Sequence, residues 1–143
     1  MTAAVPPSQD LPTPDHPNAI RIRQAKECVV PGKDIDPMFA VQAPDMIAHI
    51  PGTSLIAGEW RSRDALAAAV RSLGALAGGT LYLTANVVAT DDFAINVQRL
   101  TGRREDGRSL NTVLTEVWRM QDGVCVEIWD HFQDLDAWDA FWR

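Results

Sequence analysis

No stretch of this chain approaches the ~18 consecutive apolar residues that a membrane-spanning helix needs. Cysteine is scarce. Cys28 and Cys125 stand far apart and without ligand spacing, which excludes a disulfide framework and reads most simply as two buried thiols. His16, His49 and His131 also lack the spacing of a metal site. No glycine-rich phosphate loop and no serine-centred nucleophile elbow is present. Positive charge is in deficit, with 13 Lys and Arg against 19 Asp and Glu and a formal charge of -6. A phosphate-binding surface needs the opposite balance, so a nucleic-acid binder is not expected. Arg99, Arg103, Arg104 and Arg108 do cluster, but Glu105, Asp106 and Gly107 interrupt them, as in a solvated hairpin. The N-terminus lacks a basic segment followed by an apolar stretch. The expectation is therefore a cytoplasmic protein without a secretory signal, and with no metal or cofactor.

What remains is one domain's worth of core: 143 residues, 46% of them hydrophobic. Residues 1–17 hold five of the nine prolines among polar neighbours and are expected to form a flexible tail, with residues 18–143 as a single domain. Asn18 to Val30 reads as a helix with Ile22, Ala25 and Val29 on one side, ended by Pro31-Gly32. Asp36-Pro37 opens a short second helix to about Gln42. Asp45 to Ile50 reads as a strand that carries His49 and stops at Pro51-Gly52, and a bend follows. Ser62 is the expected N-cap of an amphipathic helix to about Ala77, with Leu66, Ala69, Val70 and Leu73 in its stripe and Gly78-Gly79 at its end.

The second half changes period. Thr80 to Ala89, Phe93 to Arg103, Arg108 to Met120 and Val124 to Phe132 read as strands. They are joined by Asp91-Asp92 and by Asp-Gly turns at Asp106-Gly107 and Asp122-Gly123. Asp134 caps a last helix with Leu135, Trp138, Phe141 and Trp142. Helices segregated from an antiparallel meander mean α+β. A strongly curved sheet wrapped on helices encloses a cone-shaped pocket, where such folds place ligands. Alternation along the last strand puts Val126, Ile128, Asp130 and Phe132 on one face, and Cys125, Glu127, Trp129 and His131 on the other. On the preceding strand Leu114, Glu116 and Trp118 share a face. Gln98 and Arg99 point to opposite faces, so one of them reaches the pocket. Trp60, Trp118, Trp129, Trp138 and Trp142 supply core, interface or pocket lining.

The segment Ala43 to Gly52, the capped helix beginning at Gly58-Glu59-Trp60-Arg61-Ser62 and the Trp129-Asp130-His131-Phe132 run together resemble the SnoaL-like and ketosteroid-isomerase-like enzymes of the nuclear-transport-factor-2-like superfamily, over roughly residues 18–142. The resemblance implies that Asp130 is an acid/base in the pocket, as the matching aspartate is in limonene-1,2-epoxide hydrolases and SnoaL-type cyclases. A strand-end aspartate facing water or capping a helix is the alternative. His49 would be the partner of Asp130 or would position water, unless it is a hydrogen-bonded rim histidine. Glu116 falls where ketosteroid isomerases keep a protonated carboxylic acid that polarises a carbonyl, unless an arginine such as Arg99 or Arg119 pairs with it. Trp60, Gln98, Leu114, Trp118, Ile128 and Phe132 are the expected substrate-binding residues.

Two family features are missing. The first-helix tyrosine of the oxyanion hole has no counterpart, since Ala25 and Lys26 lie near its place. The Arg-x-Asp pair of limonene epoxide hydrolases is replaced by Asn96-Val97-Gln98-Arg99. The expected function is a cofactor-independent isomerase or cyclase acting on a hydrophobic, polyketide-like small molecule in natural-product biosynthesis. It would work by acid/base catalysis or by orienting a polyene for cycloaddition. An epoxide hydrolase-like enzyme and a non-catalytic binding or dimerisation module are the alternatives. The family implies a homodimer.

Overall fold

A computed structural model describes residues 11–143. Its elements run α1 (Pro17–Lys26), a 3-10 turn (Asp36–Phe39), β1 (Gln42–Ile50), β2 (Gly58–Trp60), α2 (Arg63–Leu76), β3 (Tyr82–Ala89), β4 (Phe93–Arg103), β5 (Ser109–Gln121), β6 (Val124–Phe132) and α3 (Leu135–Trp142). One six-stranded sheet has the order β2-β1-β6-β5-β4-β3. It is antiparallel except where β1 lies parallel to β6. The α+β class and the strands β4 and β6 are as the sequence reading has them.

The long strands are cut to length by their turns. Asp122 and Gly123 both have positive φ, 51° and 79°, and join β5 to β6 in the two-residue geometry that matches strand twist. The β4–β5 hairpin turns differently. Gly107, at φ 94°, follows a turn closed by its own N–H donating to the Arg104 carbonyl, so the loop is Glu105-Asp106-Gly107. Ser62 caps α2 as expected, its hydroxyl accepting from the Ala65 N–H at 3.1 Å. Asp134 does the same for α3 through the Ala137 N–H.

Several boundaries depart from the sequence reading, among them the starts of β1 at Gln42 rather than Asp45 and of β3 at Tyr82 rather than Thr80. The Gly58–Trp60 bend is a short edge strand on β1. The second helix is only a 3-10 turn, since Gln42 already belongs to β1 and pairs with Cys125. Helix α1 stops at Lys26 because the following residues peel away to meet the sheet: the Val29 carbonyl accepts from the Leu83 N–H. The expected tail over residues 1–17 lies in part outside the described residues. Within them, Thr13 bridges Ala89, and His16 caps α1 while bonding Asp91 at 2.8 Å.

The sheet curls over α1, α2 and the 3-10 turn, and the core fills the space between. Helix α3 lies over the open end. Trp138, Phe141 and Trp142 pack inward from it in edge-to-face contacts. Arg104 and Arg108, from the β4–β5 hairpin, donate to the carbonyls of Phe141 and Arg143 at the C-terminal end of α3. Cations there complement the helix dipole and satisfy carbonyls that the helix leaves unpaired. On the other side Asp139 is buried and accepts from the Thr53 N–H at 2.9 Å. That contact requires Gly52, whose φ is 102° and where a Cβ would collide with the Asp139 carboxylate.

Gly52→Ala is accordingly expected to lower unfolding stability by about 2 kcal/mol or more, through strain and loss of the α3 anchor. Gly32→Ala, at similar φ but with open space around it, should cost less. Urea denaturation of both checks this, and equal losses would remove the α3 contact from the account.

Candidate functional site

An apolar cavity of about 90 Å³ lies between the concave face of the sheet, the helices α1 and α2 and the cover formed by α3. Most of its wall is aliphatic: Val29, Ile35, Ile50, Ile56, Leu66, Leu73, Leu83, Leu100, Leu114 and Ile128 all line it. The sheet carries a row of polar groups here, of which Glu116 and Asp130 line the cavity and Asn96 stands beside them. Asn96 of β4 is paired with Glu116 of β5, which is paired with Asp130 of β6. Directly paired residues have Cβ atoms about 4.5–5.5 Å apart, so the three side chains stand shoulder to shoulder. All three are buried.

The row is not uniform in its bonding. Lys26, in the last turn of α1, places Nζ 3.2 Å and 3.5 Å from the two oxygens of Glu116. It lies 5.5 Å from the centroid of the Trp118 ring. The Asn96 amide donates to Glu116 Oε1 at 2.8 Å and to Gln98 Oε1 at 2.7 Å. Asp130 receives no such help. Its Oδ1 is buried without a hydrogen-bond partner. Burial first, and then the neighbouring Glu116 charge, hold its carboxyl well above the usual carboxylate range, with Lys26 opposing. The site therefore sets the ion-paired Lys26 and Glu116 beside a carboxyl, Asp130, whose burial favours its protonated form.

Of the residues singled out from the sequence, Glu116, Asp130, Gln98, Leu114 and Ile128 line the cavity. Gln98 is the inward member of its pair, while Arg99 is exposed and donates to Asn111. His49 is not part of the site. Ala48 and Ile50 take the inner face of β1, so alternation turns His49 outward. There its ring stacks on Trp129 at 5.5 Å, and Nε2 meets Glu127 at 2.7 Å. That bond, with Arg119 beside it, lowers the Glu127 pKa. The expected dyad of His49 and Asp130 does not form; Ile50 occupies the place beside Asp130.

Three expected binding residues also fall outside the lining. Trp60 is half-buried and donates its indole N–H to the Ile56 carbonyl at 2.8 Å. Trp118 is fully buried in the core beneath Lys26. Phe132 stacks against Trp138 at 4.4 Å. On β6 the expected alternation fails at one end. A bulge after Cys125 lets both Cys125 and Ile128 face inward, and the Cys125 thiol is pushed up to about 12 by burial and by the nearby Glu116.

Sequence reasoning missed Lys26 and Gln42, which line the cavity, and Asn96, which supports Glu116 beside it, while Trp138 and Trp142 take the lining alternative left open for the tryptophans. The signal for Lys26 was available. It stands four residues after Ile22 and seven after Ala19, on the buried stripe of α1. Asn96 shares its strand face with Gln98, two residues apart.

A buried ion pair is costly to break from one side, because the remaining charge stays buried. Lys26→Met is therefore expected to destabilise the fold by about 3–5 kcal/mol. Lys26→Met/Glu116→Gln together should recover most of that loss. Urea denaturation of the single and double variants reads the coupling, and additive losses would show that the two groups are independent.

No protein-family model matches the chain, and no curated protein matches it. Solved structures do. Bal32a, from a soil-derived mobile gene cassette, is 30% identical, with a TM-score of 0.77 over 88% of this chain and 96% of its own. An NTF2-like protein from Burkholderia pseudomallei is 19% identical, with a TM-score of 0.70 over 87% of this chain and 94% of that one. A protein with a ketosteroid isomerase-like fold from Catenulispora acidiphila, solved in complex with trimethylamine, is 12% identical, with a TM-score of 0.65 over 90% and 95%. The curled sheet, the covering helices and the likeness to these structures agree: the chain is a relative of Bal32a and has the NTF2-like, ketosteroid isomerase-like fold.

Proposed function

We propose that the cavity binds a small, mainly apolar carbonyl compound and moves a proton on it, as an isomerase or cyclase that needs no cofactor. The observation that carries this reading is the buried, unpartnered carboxyl of Asp130, pushed toward its protonated form, beside the ion-paired Glu116 in an apolar enclosure. These are the two groups an enolisation requires. In this mechanism the Asp130 carboxyl donates its proton toward the carbonyl oxygen and stabilises the charge that develops there. Glu116, oriented by Lys26 and Asn96, accepts the proton from the neighbouring carbon. Return of that proton at another carbon is isomerisation. Attack of the enol on a second carbonyl within the same molecule is ring closure. The assignment exchanges the two carboxylate roles that the family resemblance implied, because the partners fall on Glu116 and not on Asp130.

Size restricts the substrate. The cavity is smaller than the roughly 150 Å³ that holds benzene in an engineered protein cavity. A polyketide-like substrate would enter by its reacting end, with side chains or α3 yielding to it. A polyene folded for cycloaddition has less room, so proton transfer is the favoured reading. A homodimer is proposed through the outer face of the sheet, where Phe93, Ile95 and Val97 stand exposed in alternation on β4. No helix among the described residues is long and apolar enough to cross a membrane.

The test is exchange of the α-hydrogens of acetone for deuterium in heavy water. Wild-type protein should accelerate exchange above the buffer rate. Asp130→Asn, close in shape, should reduce the acceleration by about 10²-fold or more. Binding without exchange would favour a binding module and sink the enzymatic reading.

Asp130 also makes a stability prediction. Its folded-state pKa lies above the ~3.9 of an unfolded aspartate, so the native state binds the extra proton. Its contribution is fully present below that unfolded value and is lost as pH rises through the folded value. Asp130→Asn should flatten the fall of stability across this window, as read by denaturation at a series of pH values.

A further inference from the structure

Arginine fills eleven of the thirteen basic positions in the chain; lysine stands only at Lys26 and Lys33. Lys33 is exposed. Lys26 is the buried one, and it lines the cavity. A purely structural ion pair with a buried carboxylate suits arginine best, because its planar fork meets both oxygens and keeps its charge. Lysine instead brings a proton it can release and a nucleophilic nitrogen. Around that nitrogen the site already holds a base in contact, Glu116 at 3.2 Å, and an acid one strand further, Asp130.

We propose that Lys26 is an amine nucleophile that forms a covalent imine with small ketones and 1,3-diketones admitted to this cavity. The proposal rests on the reading of the cavity as a carbonyl site. The Lys26 ammonium passes one proton to Glu116. The free Nζ adds to the carbonyl carbon while the carbonyl oxygen takes the Asp130 proton, and the new ammonium returns a proton to Asp130. Protonated Glu116 then gives its proton to the hydroxyl group, which leaves as water as the C=N bond forms. Amine and ketone become iminium and water, with no change of oxidation state and no further reactant. The iminium carries the same positive charge that Lys26 carried, so the Glu116 carboxylate remains paired. With a 1,3-diketone the iminium passes a proton from the carbon next to it to the Glu116 carboxylate, and a neutral conjugated enaminone settles beside the protonated Glu116.

The experiment uses the full-length protein and pentane-2,4-dione. Two signals are followed: the near-ultraviolet absorbance of the enaminone, and an intact-mass gain equal to the dione less one water. Peptide mapping then locates the adduct. The expected result is modification of Lys26 at least ten-fold faster than Lys33. The fast phase should vanish in Lys26→Arg, which keeps the charge on Glu116 but offers no such amine. Mapping the wild-type protein gives the answer even if that variant folds poorly. Lys26 left unmodified, or modified no faster than Lys33, overturns the proposal. The readout is a bond at a named residue, so its failure is separable from failure of the exchange test. Fast labelling that persists unchanged in Asp130→Asn supports the amine, while counting against the acid role given to Asp130 above.

Discussion

The contact between Lys26 and Glu116 is the constraint on which the interior depends. A carboxylate cannot be placed among aliphatic side chains without compensation, because its lost hydration is worth several kcal/mol. Lys26 supplies that compensation from one direction and the Asn96 amide from another. Their positions then propagate. The last turn of α1 must lie against the sheet for Nζ to reach Glu116. Asn96 is oriented with both amide hydrogens engaged, one on Glu116 and one on Gln98. The Asp130 carboxyl, buried and left beside a charge already claimed by others, is pushed toward its protonated form. Burial is the larger cause, and the Glu116 charge adds to it without any hydrogen bond between the two acids.

The sheet makes that arrangement possible because cross-strand pairing is a positioning device. Three polar residues far apart in sequence, Asn96, Glu116 and Asp130, occupy one line across β4, β5 and β6. Their spacing follows from backbone hydrogen bonding and needs no loop. The short loops that fix this register are Glu105-Asp106-Gly107 and Asp122-Gly123. A slip of one residue would turn the whole row out to solvent. Aliphatic residues above and below the row keep the local dielectric low, which strengthens the ion pair and raises the cost of a second charge.

Much of this was legible in the sequence. The period-2 runs and Asp-Gly turns gave β4 and β6 to the residue, and Ser62 and Asp134 marked two helix starts. The shared faces of Leu114 with Glu116 and of Ile128 with Asp130 followed from alternation, while the inward turn of Asp130 was implied by the family resemblance. What failed did so for identifiable reasons. His49 was assigned inward because an ionisable group in an apolar strand looks like a pocket residue. Its outward position follows from Ala48 and Ile50 taking the inner face of β1, and Glu127 and Trp129 hold the ring there. Cys125 was put on the wrong face because a bulge adds a residue without any glycine or proline to announce it. Lys26 was overlooked because a lysine on an apolar stripe ordinarily reaches for solvent, and nothing local reveals that a glutamate 90 positions away receives it. Long-range polar pairing is the information that one sequence holds least openly.

The covering helix has a consequence for how this molecule could be watched. Trp138 and Trp142 meet at 71° with centroids 5.3 Å apart, Phe141 lies edge-on to Trp142, and Phe132 stacks beneath Trp138. Indoles locked at fixed angles couple optically, and the coupling disappears when the geometry loosens. The aromatic circular dichroism of this protein should therefore report the seating of α3 specifically, while the amide bands report the sheet. Comparing the two signals across temperature would show whether the cover and the cone melt as one cooperative unit or whether the cover lifts first.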